Sequence, residues 1–499
     1  MRLHVDVLTL FAVLACDGPS FAGAQSYSLD GLKVPRSYSL ESLYLFYVYT
    51  AEDAPGSGAG PDPYVDFFAE ARGHDLEGSP SIELSMVSYA HIWEAIDPTY
   101  FCCVPEWGGD TGCTNPKQLL IHSVDTGNRS VAEALTYSVT DPAKRSSQIV
   151  QATGMYILIV SNCGFEQPLT LGGKIVVHHS YGFLPGNEVW KMTLYKGLIL
   201  AYFLLGLFWV LLSVRWWQQL FNVQIYIGIV VFLGILESGL WYATFIDWNA
   251  WGQRRQPLFV TAIMSTVFKS VFSFMLVVVA ALGWGVTKPF LERKLILKVQ
   301  CLAFLYICFD FLRYAVLSVR SGREHNLPFL VVMACVIPVS VMNGVIFMWV
   351  FSSLSNLMVT LSERQQTEKL WLFERFWMVL VATLFVATLL ILSQFIILSY
   401  GMVSSWKWWW ILTDLVPQLL YVADLMAIMY LWCPSATSKE YAFCEQVDTN
   451  DQESWVANTR LDDDPNLTIE HGGKSGFEPD VIGDVGRSGG KSPSGGNSP

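Results

Sequence analysis

Six charged side chains lie well inside long apolar runs, at least five residues from either end, and their chemistry is that of charge held away from water. They are Glu237, Lys269, Asp310, Arg313, Asp414 and Asp424. In hydrocarbon each costs about 2.5–3.5 kcal/mol or more, so each needs a partner or a purpose. Glu237 and Lys269 have the right signs to pair. Asp310 and Arg313 are three residues apart and can pair on one helix face. Ser265, Lys269 and Ser273 recur at intervals of four, which puts them on one face of a helix and points that stripe inward. Such a set can lock helices together, line a polar cavity for a lipid or other ligand, or pass ions. Nothing in it resembles an enzyme site: there is no HExxH zinc motif or phosphate loop, and no GxSxG elbow ahead of the C-terminal tail. No metal or cofactor is expected. His178 and His179 are adjacent and, on a strand, point to opposite faces, so they do not share a metal.

Seven apolar runs must position these groups: Leu194–Val214, Asn222–Ile246, Leu258–Val286, Leu295–Ser318, Pro328–Leu354, Arg375–Tyr400 and Trp406–Trp432. Each can cross a hydrocarbon core of roughly 30 Å at ~1.5 Å per residue. A lipid-facing backbone must satisfy its own hydrogen bonds, so the runs read as helices. Composition agrees: the chain is 52% hydrophobic and only 15% charged, below the ~25% usual in soluble domains. Trp216, Trp217, Trp248, Trp251, Trp406 and Trp408–Trp410 sit at run ends, where indole rings favour the headgroup layer. The net charge of -12 gives no basic footprint for nucleic acid.

Met1–Ala24 reads as a secretory signal, with Arg2, the apolar stretch Leu8–Cys16 and the small residues Ala22-Gly-Ala24. That places the following domain, residues 25–186, in the lumen. An odd number of crossings then puts the C-terminus in the cytosol. Arg215, Lys288, Arg293, Lys294, Arg364, Lys369 and Arg375 fall on the cytosolic side, against Arg254, Arg255, Arg320, Arg323 and Lys407 on the other. The excess follows the positive-inside rule. Counting ~1.5 Å per residue from the lumenal ends places Glu237, Lys269, Asp310 and Asp414 in one layer, about 12–17 Å deep. In that layer Asp310 and Asp414 are expected to line a polar cavity open toward the lumen.

The first domain carries short β-rich segments, Leu43–Thr50, Ile82–Tyr89, Gln118–Val124, Met155–Cys163 and Lys174–Tyr181. Turn residues separate them, and Ala54–Asp66 reads as a loop. This is the pattern of a β-sandwich. Cys102, Cys103, Cys113 and Cys163 predict two disulfides in an oxidising compartment. Adjacent Cys102 and Cys103 do not pair with each other, which leaves two pairings. Asn128-Arg-Ser130 is a glycan acceptor if the domain is lumenal. Asn466-Leu-Thr468 also matches, but falls on the cytosolic side. Residues 187–434 hold the helices. Residues 435–499, acidic and then rich in Gly, Ser and Pro, cannot bury a core and read as a disordered tail. Coat or sorting proteins are its expected partners.

Four stretches resemble the GOLD-domain seven-transmembrane family, also called the lung seven-transmembrane receptor family, in its transmembrane protein eighty-seven branch. They are Tyr181-Gly-Phe-Leu-Pro-Gly186, Phe232-Leu-Gly-Ile-Leu-Glu237, Leu282-Gly-Trp-Gly-Val-Thr-Lys-Pro289, and Trp432-Cys-Pro-Ser-Ala436 with Tyr441-Ala-Phe443. Gly154–Cys163 gives a looser match in the first domain. The resemblance implies a membrane all-α seven-helix bundle with an N-terminal lumenal GOLD-like β-sandwich. It implies residence in the Golgi and endosomes and a role in trafficking, with membrane cargo or a phospholipid in the bundle cavity as ligands. A pH-sensitive cation conductance is the alternative it implies. Cys433 departs from the family's basic residue in the closing run. A G-protein-coupled receptor of the rhodopsin type is disfavoured, because helix 3 lacks the Asp/Glu-Arg-Tyr triplet and helix 7 has Pro417-Gln-Leu-Leu-Tyr421.

Overall fold

The computed structural model describes residues 26–34, 39–55, 61–72, 82–97, 100–103, 119–120, 135–138, 146–163, 169–284, 293–320 and 329–435. Two antiparallel sheets form the first domain. The strands are β1 (Ser26–Ser28), β2 (Leu32–Val34), β3 (Ser39–Val48), β4 (Tyr64–Arg72), β5 (Ile82–Ser88), β6 (Leu135–Ser138), β7 (Ser146–Ile149), β8 (Gly154–Asn162) and β9 (Leu169–His178). One sheet runs β1-β9-β4-β7, with β2 also on β9; the other runs β3-β8-β5-β6. Alternate residues of both sheets meet in one core: Phe46, Val48, Leu84, Met86 and Leu158 from one, Val65, Phe67, Ile175 and Val177 from the other. That is a sandwich. Every residue of β5 is buried, because Ile92–Ala95 and Leu119 cover its outer face. Glu83 on that face is buried and accepts the Leu119 N–H at 2.9 Å.

The expected loop Ala54–Asp66 is shorter than read: β4 begins at Tyr64. Val65, Phe67 and Ala69 recur at every second position, which is the period of a strand. The expected strand at Gln118–Val124 appears, within the described residues, as a single bridge between Cys102 and Leu119. Cys102 and Cys163 form a disulfide. This excludes the pairing that joins Cys103 to Cys163. Cys103 is also disulfide-bonded, while Cys113 and Asn128 lie outside the described residues, as do the signal segment and the tail beyond Ser435.

Among the described residues, seven helices long and apolar enough to cross a membrane follow. They are α1 (Val189–Arg215), α2 (Asn222–Trp251), α3 (Gln256–Ala281), α4 (Arg293–Arg320), α5 (Phe329–Glu363) and α6 (Thr367–Tyr400), then α7. The last is composite: Met402–Trp410, a π turn at Ile411–Leu415, and Val416–Leu431. Large apolar side chains remain exposed along outer faces, as at Leu200, Phe203, Leu207, Leu211 and Val214 on α1. Helical spacing of exposed apolar residues is what a lipid-facing surface requires. The helix α6 starts eight residues before the apolar run, and α3 stops five residues short of Val286. Arg254 and Arg255 stand between α2 and α3, at the end that faces the sandwich.

The sandwich is seated on the bundle, not strung from it. Gly182, at φ 130°, lets the linker pass Asn249 so closely that a Cβ there would lie 2.5 Å from its Oδ1. Asn249 Nδ2 donates to Tyr181 O at 2.8 Å, and its Oδ1 accepts the Leu184 N–H at 3.0 Å. Gly186 N–H donates to Tyr47 O. Trp406 of α7 is buried against Tyr47 and Tyr49 of the sandwich, and Lys407 pairs with Asp53 at 3.3 Å.

Candidate functional site

Glu237 and Lys269 meet in the bundle core. Lys269 Nζ stands 2.6 Å from Glu237 Oε2, and both side chains are almost fully buried. The local sequence builds this pocket. Gly234, one turn before Glu237, admits the Tyr202 ring of α1; a Cβ there would stand 2.6 Å from Tyr202 Cε1. Lys269 is flanked by the Tyr202 ring at 5.2 Å and the Tyr421 ring of α7 at 4.0 Å. Gln418 Oε1 lies at 3.5 Å from its ammonium. The aromatic faces supply partial negative charge to the cation, and the carboxylate supplies the rest.

The stripe on α3 faces this core. Ser265 and Lys269 are buried, and Ser265 Oγ donates to Ala262 O at 2.8 Å. Ser273 Oγ bonds to Lys269 O at 2.6 Å and to the Tyr421 hydroxyl. Four helices thus converge on one polar centre: α1 through Tyr202, α2 through Glu237, α3 through Lys269 and Ser273, α7 through Gln418 and Tyr421.

Asp310 is elsewhere. Arg313 holds it at 2.9 Å (Nε) and 2.7 Å (Nη2) within α4. Its height nevertheless matches: Tyr306 packs on Phe274, and Tyr314 on Phe259, Ile263 and Val267. Asp310, midway between the two tyrosines, falls at the level of Lys269. Asp414 breaks the expected layer. It pairs with Lys191 near the start of α1 at 3.2 Å, and Lys191 also holds Glu188 at 3.1 Å. Gln418 and Tyr421, which reach Lys269, lie four and seven residues further along α7, so Asp414 sits about 6–10 Å nearer the sandwich. The shared cavity of Asp310 and Asp414 is therefore corrected to two separate ion pairs. A simple residue count missed this because the π turn re-aims Asp414, and because Lys191 and Glu188 precede the apolar run and read as flanking charge. Gln394 of α6 donates to Leu412 O within that turn at 2.8 Å, serving a backbone group the π geometry frees. Asp424 accepts the Thr383 hydroxyl of α6. A pocket between α3, α4 and α5 is lined by Val271, Phe274, Val278, Leu302, Tyr306 and Ile346 among others, and is apolar. No group of three metal-ligating side chains occurs among the described residues.

At the seat of the sandwich, His179 is buried and stacked on Tyr181. Burial, and then the neighbouring His178, lower its pKa to about 3. Glu83 is pushed upward by burial, partly offset by the Leu119 N–H.

With the helices placed, comparison with known proteins decides the lineage. The GOST seven-transmembrane domain matches residues 190–439, half of the chain. The chain belongs to the GOST seven-transmembrane family. It is 30% identical to human Transmembrane protein 87A over 272 residues, 54% of this chain and 47% of that protein. It is 27% identical to the Xenopus tropicalis form over 304 residues, 60% of this chain and 54% of that one. The membrane protein PTM1 of Saccharomyces cerevisiae is 23% identical over 437 residues, 81% of this chain and 80% of that protein. The matched region spans about half the length of the Transmembrane protein 87 relatives. The four motifs read from the sequence lie in or beside the matched region.

Proposed function

We propose that this protein works in membrane trafficking as an adaptor or chaperone for membrane cargo or lipid, without enzymatic activity. In this reading the sandwich faces the lumen of the Golgi and cycling endosomes, and the C-terminal segment meets coat or sorting proteins in the cytosol. The observation that carries it is the seating of the sandwich. Trp406, Lys407 and Asn249 tie the domain to α7 and α2, and α7 continues to Tyr421 at the polar centre. Occupancy on the sandwich therefore reaches the helices through packed, hydrogen-bonded contacts, which an adaptor requires. Depletion of the protein is expected to misplace a subset of membrane cargo, read by quantitative proteomics of Golgi and endosomal fractions. Unchanged sorting would remove the proposal.

A cation conductance is the second reading. Asp424 favours it, since its one described partner is a neutral hydroxyl. Lys269 opposes it, because an ammonium occupies the centre where a cation would pass. Flux in liposomes holding the purified protein distinguishes the two.

A further inference from the structure

Arg254 stands between α2 and α3 without a carboxylate. It makes no ion pair or hydrogen bond among the described residues. Its guanidinium lies on the Phe259 ring, 3.6 Å from the centroid, and 5.8 Å from the Trp248 centroid. Its neighbour Arg255 is already taken, by Asp247 at 3.2 Å. Glu188, whose charge acts on Arg254, is held by Lys191, which in turn holds Asp414. A cation with five N–H donors is thus left beside two aromatic rings and with no acceptor among the described residues. Burial acts on it too, lowering its pKa to about 10, so it stays charged at neutral pH.

Two more donors stand beside it. Trp248 is 2% exposed, and its Nε1–H is buried with no partner. An indole N–H can only donate, so an acceptor is missing there. The helix α3 begins at Gln256, and its cap residue, Arg255, gives no side-chain acceptor to the first turn. The open N–H groups and the helix dipole of a 26-residue helix favour negative charge at that end. Trp251, exposed on the last turn of α2, marks the headgroup level.

We propose that Arg254, Trp248 and the first turn of α3 form a binding site for a phosphate-type anion where the sandwich meets the membrane. The site takes a group with several acceptor oxygens, two of which can meet the parallel N–H donors of a guanidinium. Its two sources are the phosphate of a lipid headgroup in the adjoining leaflet and a soluble phosphate. The site is separate from the Glu237–Lys269 centre and needs no occupant there.

The test uses the purified full chain in dodecyl maltoside and phosphate-free buffer. Thermal unfolding midpoints are followed against dioleoyl phosphatidic acid, dioleoylglycerol and inorganic phosphate. Phosphatidic acid should raise the midpoint saturably and dioleoylglycerol should not. Arg254→Gln should weaken the apparent affinity at least about tenfold, with Arg254→Lys between. Trp248→Phe keeps the ring, loses only the donor, and should weaken it several-fold; it decides the matter if Arg254→Gln does not fold. An equal effect of inorganic phosphate assigns the soluble source, and a response to the lipid alone assigns the headgroup. No response to either phosphate probe, an equal response to dioleoylglycerol, or unaltered affinity in the folded variants would overturn the site.

Discussion

Removing one member of the Glu237–Lys269 pair should cost unequal amounts, depending on which member goes. Lys269→Met leaves a buried carboxylate among Tyr202, Gly234 and Ser238 with no cation, and a broken buried pair costs about 3–5 kcal/mol. Glu237→Gln leaves the ammonium between two aromatic rings, at 4.0 and 5.2 Å, and beside Gln418. Each ring is worth about 0.5–2 kcal/mol to a desolvated cation, so this loss should be smaller, about 1–3 kcal/mol. The double variant leaves no buried charge and should lose less than the sum of the singles by at least ~1.5 kcal/mol. The assay is denaturant unfolding of the four proteins in one detergent, followed by tryptophan fluorescence. Additive losses, or a larger loss for Glu237→Gln, would refute the reasoning.

Further outcomes follow from other contacts. Gly234→Ala puts a methyl into the Tyr202 ring, which is fully buried and cannot yield, and should lower stability by about 1–3 kcal/mol in the same unfolding assay. Asn249→Ala removes two hydrogen bonds to the linker, worth about 0.5–1.5 kcal/mol each, and should speed amide exchange at Tyr181–Leu184 before it alters the helices. The neutral form of His179 is held in the fold, so its contribution is complete above pH ~6.5 and is lost as pH falls from there toward about 3. At pH ~5 the loss is roughly 2 kcal/mol, and His179→Phe, which keeps the stack on Tyr181, should flatten the pH dependence of unfolding. Glu83 acts in the opposite sense: its raised pKa means that acidification relieves its burial cost. Replacing Cys102 and Cys163 by Ser opens a loop of 61 residues and should cost about 4 kcal/mol by loop entropy, read as earlier proteolysis of the sandwich.

The helices were legible because lipid imposes one strict rule: an unbroken apolar run of sufficient length. The Glu237–Lys269 pair was legible for a related reason, since opposite charges at equal depth have few other ways to be satisfied. Asp414 was not, because a π turn adds a residue to α7 without any mark in composition, and Lys191 reaches in from outside its apolar run. In the sandwich, β4 hid behind a Gly- and Pro-rich approach, although Val65, Phe67 and Ala69 alternate as a half-buried strand does. The seat on Trp406 could not be read either. An aromatic residue at a run end looks the same whether it anchors to headgroups or receives another domain, and only the partners Tyr47 and Tyr49 separate the two. Arg254 read as a topological charge, which says nothing about its missing acceptor.

The trafficking account rests on transmission from the sandwich to α7, and Trp406 is where the two touch. Cells depleted of the protein would be supplied with wild type or with Trp406→Ala at matched membrane levels, and organelle proteomes compared. The account predicts that wild type restores cargo distribution and that Trp406→Ala, though folded, does not. Full restoration by Trp406→Ala would contradict it.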